Sequence, residues 1–111
     1  MKPKFTPGDD DIAQYLDLTP NNVYRVIAIE GDHFRLMSHE GLPYCYPKFL
    51  FTMMDDKWPD DWIIKIDNVD EQYVYPKSLA EKGFFERYFD GNPDAILLLR
   101  KRLQMWHKGQ D

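Results

Sequence analysis

Between Leu18 and Phe51 the chain folds back on itself twice within a short distance. Two extended runs meet at Gly31-Asp32, and the second turns again at Glu40-Gly41. Tight turns flanked by β-branched and aromatic residues describe a three-stranded meander. A meander with one apolar face cannot stand alone, so the rest of the chain must cover it. That requirement constrains every other segment.

The first strand, Val23 to Glu30, is apolar on both faces: Val23, Ile27 and Ile29 on one, Tyr24, Val26 and Ala28 on the other. Strands buried on both sides read this way. The second, His33 to His39, alternates, with Phe34 and Leu36 inside and His33, Arg35 and His39 outside. Tyr44-Cys45-Tyr46 forms the third, its two tyrosines on one side. Phe49 and Phe51 lead into Met53-Met54, an irregular or edge segment. Residues 55 to 62 are a loop by their Pro and Asp content, and Trp62 to Ile66 returns to strand. After turn chemistry at Asp67 to Glu71, Tyr73-Val74-Tyr75 pairs back.

Upstream, Pro3, Pro7 and Gly8 make residues 1–8 a loose arm. Asp9 is placed as the N-cap of a short helix running to about Asp17. Downstream the character changes to helix. Ser78 to Glu81 carries a capping-box pattern ahead of Gly83, and Phe84 to Phe89 holds aromatic pairs at helical spacing, placed over the open end of a barrel. Asn92 and Pro93 open a last helix whose stripe is Ile96, Leu99, Leu103 and Trp106, widened by Ala95, Leu98 and Met105. The expected fold is α+β: an SH3-like antiparallel barrel or curled sheet of five to six short strands, with a short N-terminal helix and C-terminal helices. Its 111 residues make a single domain, 18–75 being the β-rich body and 78–107 the helical part.

Charge and cysteine content narrow the function. The net charge is −5, and only residues 95–111, with Arg100, Lys101, Arg102 and Lys108, run basic. An acidic body disfavours generic nucleic-acid binding, where basic residues meet phosphates, and favours a basic partner. Cys45 is the one cysteine, which excludes an intramolecular disulfide and fits a reducing cytoplasm. No apolar window is long enough for a membrane span, and no signal-peptide pattern opens the chain.

Catalytic and metal readings find little. Cys45 has His39 six residues earlier, but a nucleophilic pair also needs an orienting third group. His33, His39, His107 and Cys45 lack metal-ligand spacing, and the glycines fit turns and helix ends, with no phosphate loop among them. No catalytic residue, metal or cofactor is expected. The loop instead interleaves Asp55, Asp56, Asp60 and Asp61 with Trp58 and Trp62, aromatic anchors in an acidic rim suited to a basic protein surface. Tyr44 and Tyr46 on the sheet join them as candidate partner-binding residues. The competing reading makes both tryptophans core plugs and the aspartates a solvated turn.

A family resemblance adds to this. Leu-Thr-Pro-Asn-Asn-Val-Tyr-Arg-Val-Ile, then Phe-Arg-Leu-Met, a Glu-Gly turn and Tyr-Pro near a Phe resemble small bacterial SH3-like barrel proteins. Asp-Asp-Trp-Ile-Ile, Tyr-Val-Tyr-Pro and Gly-Phe-Phe-Glu-Arg-Tyr-Phe-Asp-Gly are similar to small proteins encoded beside bacterial toxins. The likeness covers residues 18 to 91. It implies a non-catalytic cytoplasmic immunity protein that neutralises a toxin by direct binding. The alternative is an SH3-like module that docks in a larger complex or binds a peptide.

Overall fold

The strand expected over Val23–Glu30 is the corner of the fold, because it changes partners halfway along. The computed structural model describes residues 1–66 and 72–107. In chain order its elements are β1 (Lys2–Phe5), α1 (Asp9–Ile12), β2 (Ala28–Glu30), β3 (His33–Met37), β4 (Pro43–Pro47), β5 (Phe51–Asp55), β6 (Trp62–Ile66), β7 (Gln72–Pro76), α2 (Phe84–Phe89) and α3 (Pro93–His107). Single 3₁₀ turns at Lys48–Leu50 and Lys77–Leu79 follow β4 and β7. The first half of the corner segment lies along β1: Tyr24 N donates to the Pro3 carbonyl at 2.8 Å, and Val26 N to that of Met1 at 3.0 Å. The second half turns to β3, with Ile27 N donating to the Arg35 carbonyl at 2.7 Å. Only residues 28–30 make a regular strand.

Two antiparallel sheets result: a ribbon of β1 and β5, and a five-stranded sheet ordered β4-β3-β2-β7-β6. They do not close into a barrel. The α+β class stands, and among the described residues the strands number seven because β1 adds one to those expected. Residues 1–8 are not a loose arm. Pro3 stands at a register shift between β1 and β5, an irregularity where a missing N–H is tolerated, and burial holds the strand in place. Phe5 is fully buried, its ring 5.6 Å from that of Phe51. Burying a side chain of that size contributes about 2 kcal/mol.

The sheet residues divide between two cores, and in the corner segment the expected alternation breaks: Ile27 and Ala28 go together to one, Val26 and Ile29 to the other. Val26, Ile29, Phe34, Leu36, Tyr46 and Val74 join Phe5, Leu18 and Leu50 in one core, between the sheet and the ribbon. Ile27 and Ala28 join Leu79, Phe84, Phe85, Ala95, Leu99 and Trp106 in a second, beneath the helices. The corner strand is apolar on both sides because it separates two cores. α1 spans only four residues, follows Gly8 as N-cap, and buries nothing. Ile12 and Leu16 are exposed, so nothing rewards extending it to Asp17. The turn expected at Asp67 to Glu71 lies outside the described residues.

The C-terminal half follows its sequence signals closely. Asn92 Oδ1 accepts from Ala95 N at 3.0 Å, capping α3 just before Pro93. Leu99 and Trp106 are buried, and Leu103 packs beside them. Leu98 and Met105, expected to widen the stripe, are exposed. Phe84 and Phe85 meet edge to face at 5.0 Å and cover the sheet, there being no barrel end to close. No described helix is long and apolar enough to cross a membrane.

Candidate functional site

The acidic loop begins where β5 leaves the ribbon. Phe51 points inward, and beyond it every residue of β5 is exposed, including Met53 and Met54. Phe49, in the turn just before, is 74% exposed. The strand therefore places large apolar side chains in solvent directly ahead of Asp55 and Asp56. Methionine is an adaptable contact residue, enriched at protein interfaces.

The loop itself is tethered. Asp55 Oδ1 accepts from Lys57 N at 3.0 Å, and that bond holds the carboxyl below the usual carboxylate range. Met1 N donates to the Lys57 carbonyl at 2.7 Å. Trp62 N donates to the Pro59 carbonyl at 3.3 Å, closing a turn. The Trp58 and Trp62 rings lie 5.9 Å apart, half-buried against the ribbon-side core. The tryptophans thus plug the core edge and keep part of their surface in solvent. Asp55, Asp56 and Asp60 are exposed, and among the described residues none of them is in an ion pair.

Asp61 behaves differently. Its two carboxylate oxygens accept from Arg102 Nη1 and Nη2 at 2.6 and 2.8 Å, a bidentate pair whose arginine is 4% exposed. It ties the start of β6 to α3, and its carboxylate is already committed. Arg102 is correspondingly no part of a surface basic stripe, while Arg100 and Lys101 remain exposed.

The tyrosine pair also separates. Tyr46 is 3% exposed, and its hydroxyl donates to Asp17 Oδ2. A ring so placed is core, with its hydroxyl held well above the ordinary tyrosine range by burial and the Asp17 carboxylate. Tyr44 is half-buried and stacks on Phe89, ring centroids 5.8 Å apart and 6° from parallel. The structure brings together Asp55, Asp56, Trp58 and Asp60; it withdraws Asp61 and Tyr46 into internal contacts, and Trp62 in part.

A polar cluster on the helix-facing side of the sheet has almost no signature in the sequence. Glu30 Oε2 accepts from Arg35 Nε at 2.5 Å and from Cys45 Sγ at 3.0 Å, and Oε1 accepts from the Tyr75 hydroxyl at 3.1 Å. The Arg35 guanidinium lies 4.0 Å from the Phe85 ring centroid and donates to the Pro43 carbonyl at 2.5 Å. The one signal in sequence is a charge at Glu30 directly after the apolar run Val26 to Ile29. Burial alone would raise the Glu30 carboxyl, but donation from Arg35, Cys45 and Tyr75 and the Arg35 charge bring it below the ordinary range. Cys45 reaches the surface, yet desolvation of its sulfur and the bond to Glu30 push the thiol up to about 12. A thiol so held is a poor nucleophile at neutral pH. His39 does not pair with it, since its Nε2 lies 2.7 Å from Thr19 Oγ1. Among the described residues, no group of three or more His, Cys, Asp and Glu could hold a metal ion.

No family model matches the chain, and no curated protein or solved structure matches it significantly.

Proposed function

We propose that this protein is a non-catalytic binding protein that docks a basic protein on β5 and the loop after it. In its most concrete form it is a bacterial, cytoplasmic immunity protein that neutralises a toxin by direct contact. The observation that carries the reading is the exposed run from Met53 to Asp60. Apolar side chains, then Asp55, Asp56 and Asp60, stand in solvent on a loop pinned at both ends. The carboxylates steer a cationic partner and speed encounter. The methionines and the Trp58 rim then slow dissociation, and a tethered loop loses little entropy on docking.

The test is capture of partners by wild-type protein and by the Asp55→Lys, Asp56→Lys, Asp60→Lys triple variant, at low and high salt. A stoichiometric basic protein should be held by the wild type at low salt and not by the variant. A partner retained by the variant would remove the loop from the interface.

A second reading, an SH3-like interaction module that binds an extended peptide or docks in a larger complex, is favoured by one observation. The five-stranded sheet ends in β4 and β6, each with a neighbour on one side only among the described residues, and an open edge accepts an added strand. Such binding would depend little on salt and would be indifferent to the triple reversal.

A further inference from the structure

The last helix leaves one face without a partner. Ala95, Leu99 and Trp106 turn α3 to the core, while Leu97, Leu98 and Met105 stay exposed. Lys101 follows Leu97 by four residues and Leu98 by three, and precedes Met105 by four, so these side chains share one helical face. Arg100 flanks them, and both cations are exposed and in no ion pair among the described residues. Asp94, in the first turn, is the one acidic group on this helix. An exposed apolar patch around a cation marks a contact surface.

The same chain carries the complement. Phe49, Met53 and Met54 stand in solvent ahead of the acidic loop. Asp55 is answered within the molecule by the Lys57 N–H, the Met1 amine and Lys2 opposite it on β1. Asp56 and Asp60 face solvent, with Lys57 the one cation between them in sequence. Two carboxylates beside apolar side chains on the loop thus match two cations beside apolar side chains on α3. The surfaces are also neighbours. Arg102, bound to Asp61 at the end of the loop, follows Leu98 by four residues and precedes Met105 by three, so the loop meets α3 along the flank of its exposed face. A twofold axis beside them sets each loop against the other copy's α3, makes both contacts at once and closes the assembly at two.

We propose that two copies of this chain pair reciprocally, Asp56 and Asp60 of each meeting Arg100 and Lys101 of the other while their exposed apolar side chains pack together. At physiological ionic strength, charges further apart than about 8 Å are screened. The net charge of −5 on each copy therefore opposes pairing weakly, while contacts within the patch persist. This pairing rests on the proposed docking role of the loop and adds what occupies it in the free protein. A tighter basic partner takes the loop by displacing the second copy.

The experiment is sedimentation velocity at about 0.15 M salt, with loadings up to about 500 µM. Wild type should pass from monomer to dimer as concentration rises and stop there. In the loop variant Asp56→Lys, Asp60→Lys each reversal adds two charges, taking the net charge from −5 to −1. It should pair at least about tenfold more weakly, although its lower net charge alone would favour association. The helix variant Arg100→Glu, Lys101→Glu also carries Asp9→Lys and Asp10→Lys on α1, which hold the net charge at −5, and should weaken likewise. Mixed one to one, the two variants should pair as wild type does, because reversed loop then meets reversed helix and the unreversed surfaces meet each other. That rescue also shows both variants to be folded. A wild type monomeric throughout, pairing untouched by either variant, or no pairing in a mixture of variants shown folded by circular dichroism would overturn the proposal, as would mass growing past two copies. A monomer throughout would leave the docking of a foreign partner standing, since the capture assay reads that separately.

Discussion

The carboxylate of Glu30 and those of the loop after β5 are treated by the fold in opposite ways. On the helix side of the sheet, Glu30 has both oxygens engaged by Arg35, Cys45 and Tyr75. On the loop after β5, Asp55, Asp56 and Asp60 stand in solvent, with only Asp55 making an internal bond among the described residues. Asp61, next in the chain, belongs with Glu30 and not with its neighbours, because Arg102 takes both of its oxygens. A carboxylate already meeting internal donors offers nothing to a partner, and removing it injures the fold. One that meets only water is spare. The division between structural and available charge therefore runs between Asp60 and Asp61, one residue apart.

That division is most exposed to attack at Asp61. Asp61→Ala leaves the buried Arg102 guanidinium without its part-exposed carboxylate, and stranding a buried charge in this way costs about 3 kcal/mol. Thermal unfolding should move down by roughly 10 °C, against little or no change for Asp60→Ala. Equal effects of the two would erase the distinction. Next in size, Glu30→Gln weakens three charge-assisted bonds and should cost about 2 kcal/mol in chemical denaturation.

Acid separates the two kinds of carboxylate further. The folded Glu30 carboxyl titrates below the ordinary carboxylate value, so its stabilisation is complete above that value and is lost as pH falls through the folded one. The stability gap between wild type and Glu30→Gln should close between about pH 5 and the acid limit; a gap constant with pH would contradict the assignment. The reverse sign holds for Cys45. Its thiol is raised to about 12, so the protonated form is favoured in the fold, and alkylation at pH 8 should run roughly a hundredfold slower than for a free cysteine. Glu30→Gln should speed it. The smallest expected effect is on the loop: reversal of Asp55, Asp56 or Asp60 should move the thermal midpoint by less than about 2 °C each.

What can be read in the sequence is local. The hairpin turns, the Trp62–Ile66 strand and the Asn92-Pro93 start of α3 carry their signals within a few residues. What cannot be read depends on long-range pairing. β1 exists because Phe5 meets Phe51 and Pro3 meets Tyr24, contacts that a Pro-rich N-terminal stretch does not announce. The Glu30 cluster draws on three strands beyond its own, and its members alternate with core residues that mask them. The site residues split for the same reason. Asp55, Asp56 and Asp60 are legible as exposed charge, whereas the Arg102 partner of Asp61 lies 41 residues away. Tyr44 and Tyr46 share a side by alternation, but Tyr15 and Asp17, in the segment after α1, meet the ring and hydroxyl of Tyr46 alone.

The docking surface is tested most directly by two charge reversals in one partner-capture assay, at low salt, after both proteins are shown to be folded. One carries Asp55→Lys, Asp56→Lys and Asp60→Lys; the control carries Asp9→Lys, Asp10→Lys and Asp11→Lys on α1, with the same change in net charge. The basic partner should be lost from the first and kept by the second. Loss from both would make the attraction a property of overall charge, and retention by the first would contradict the docking surface outright.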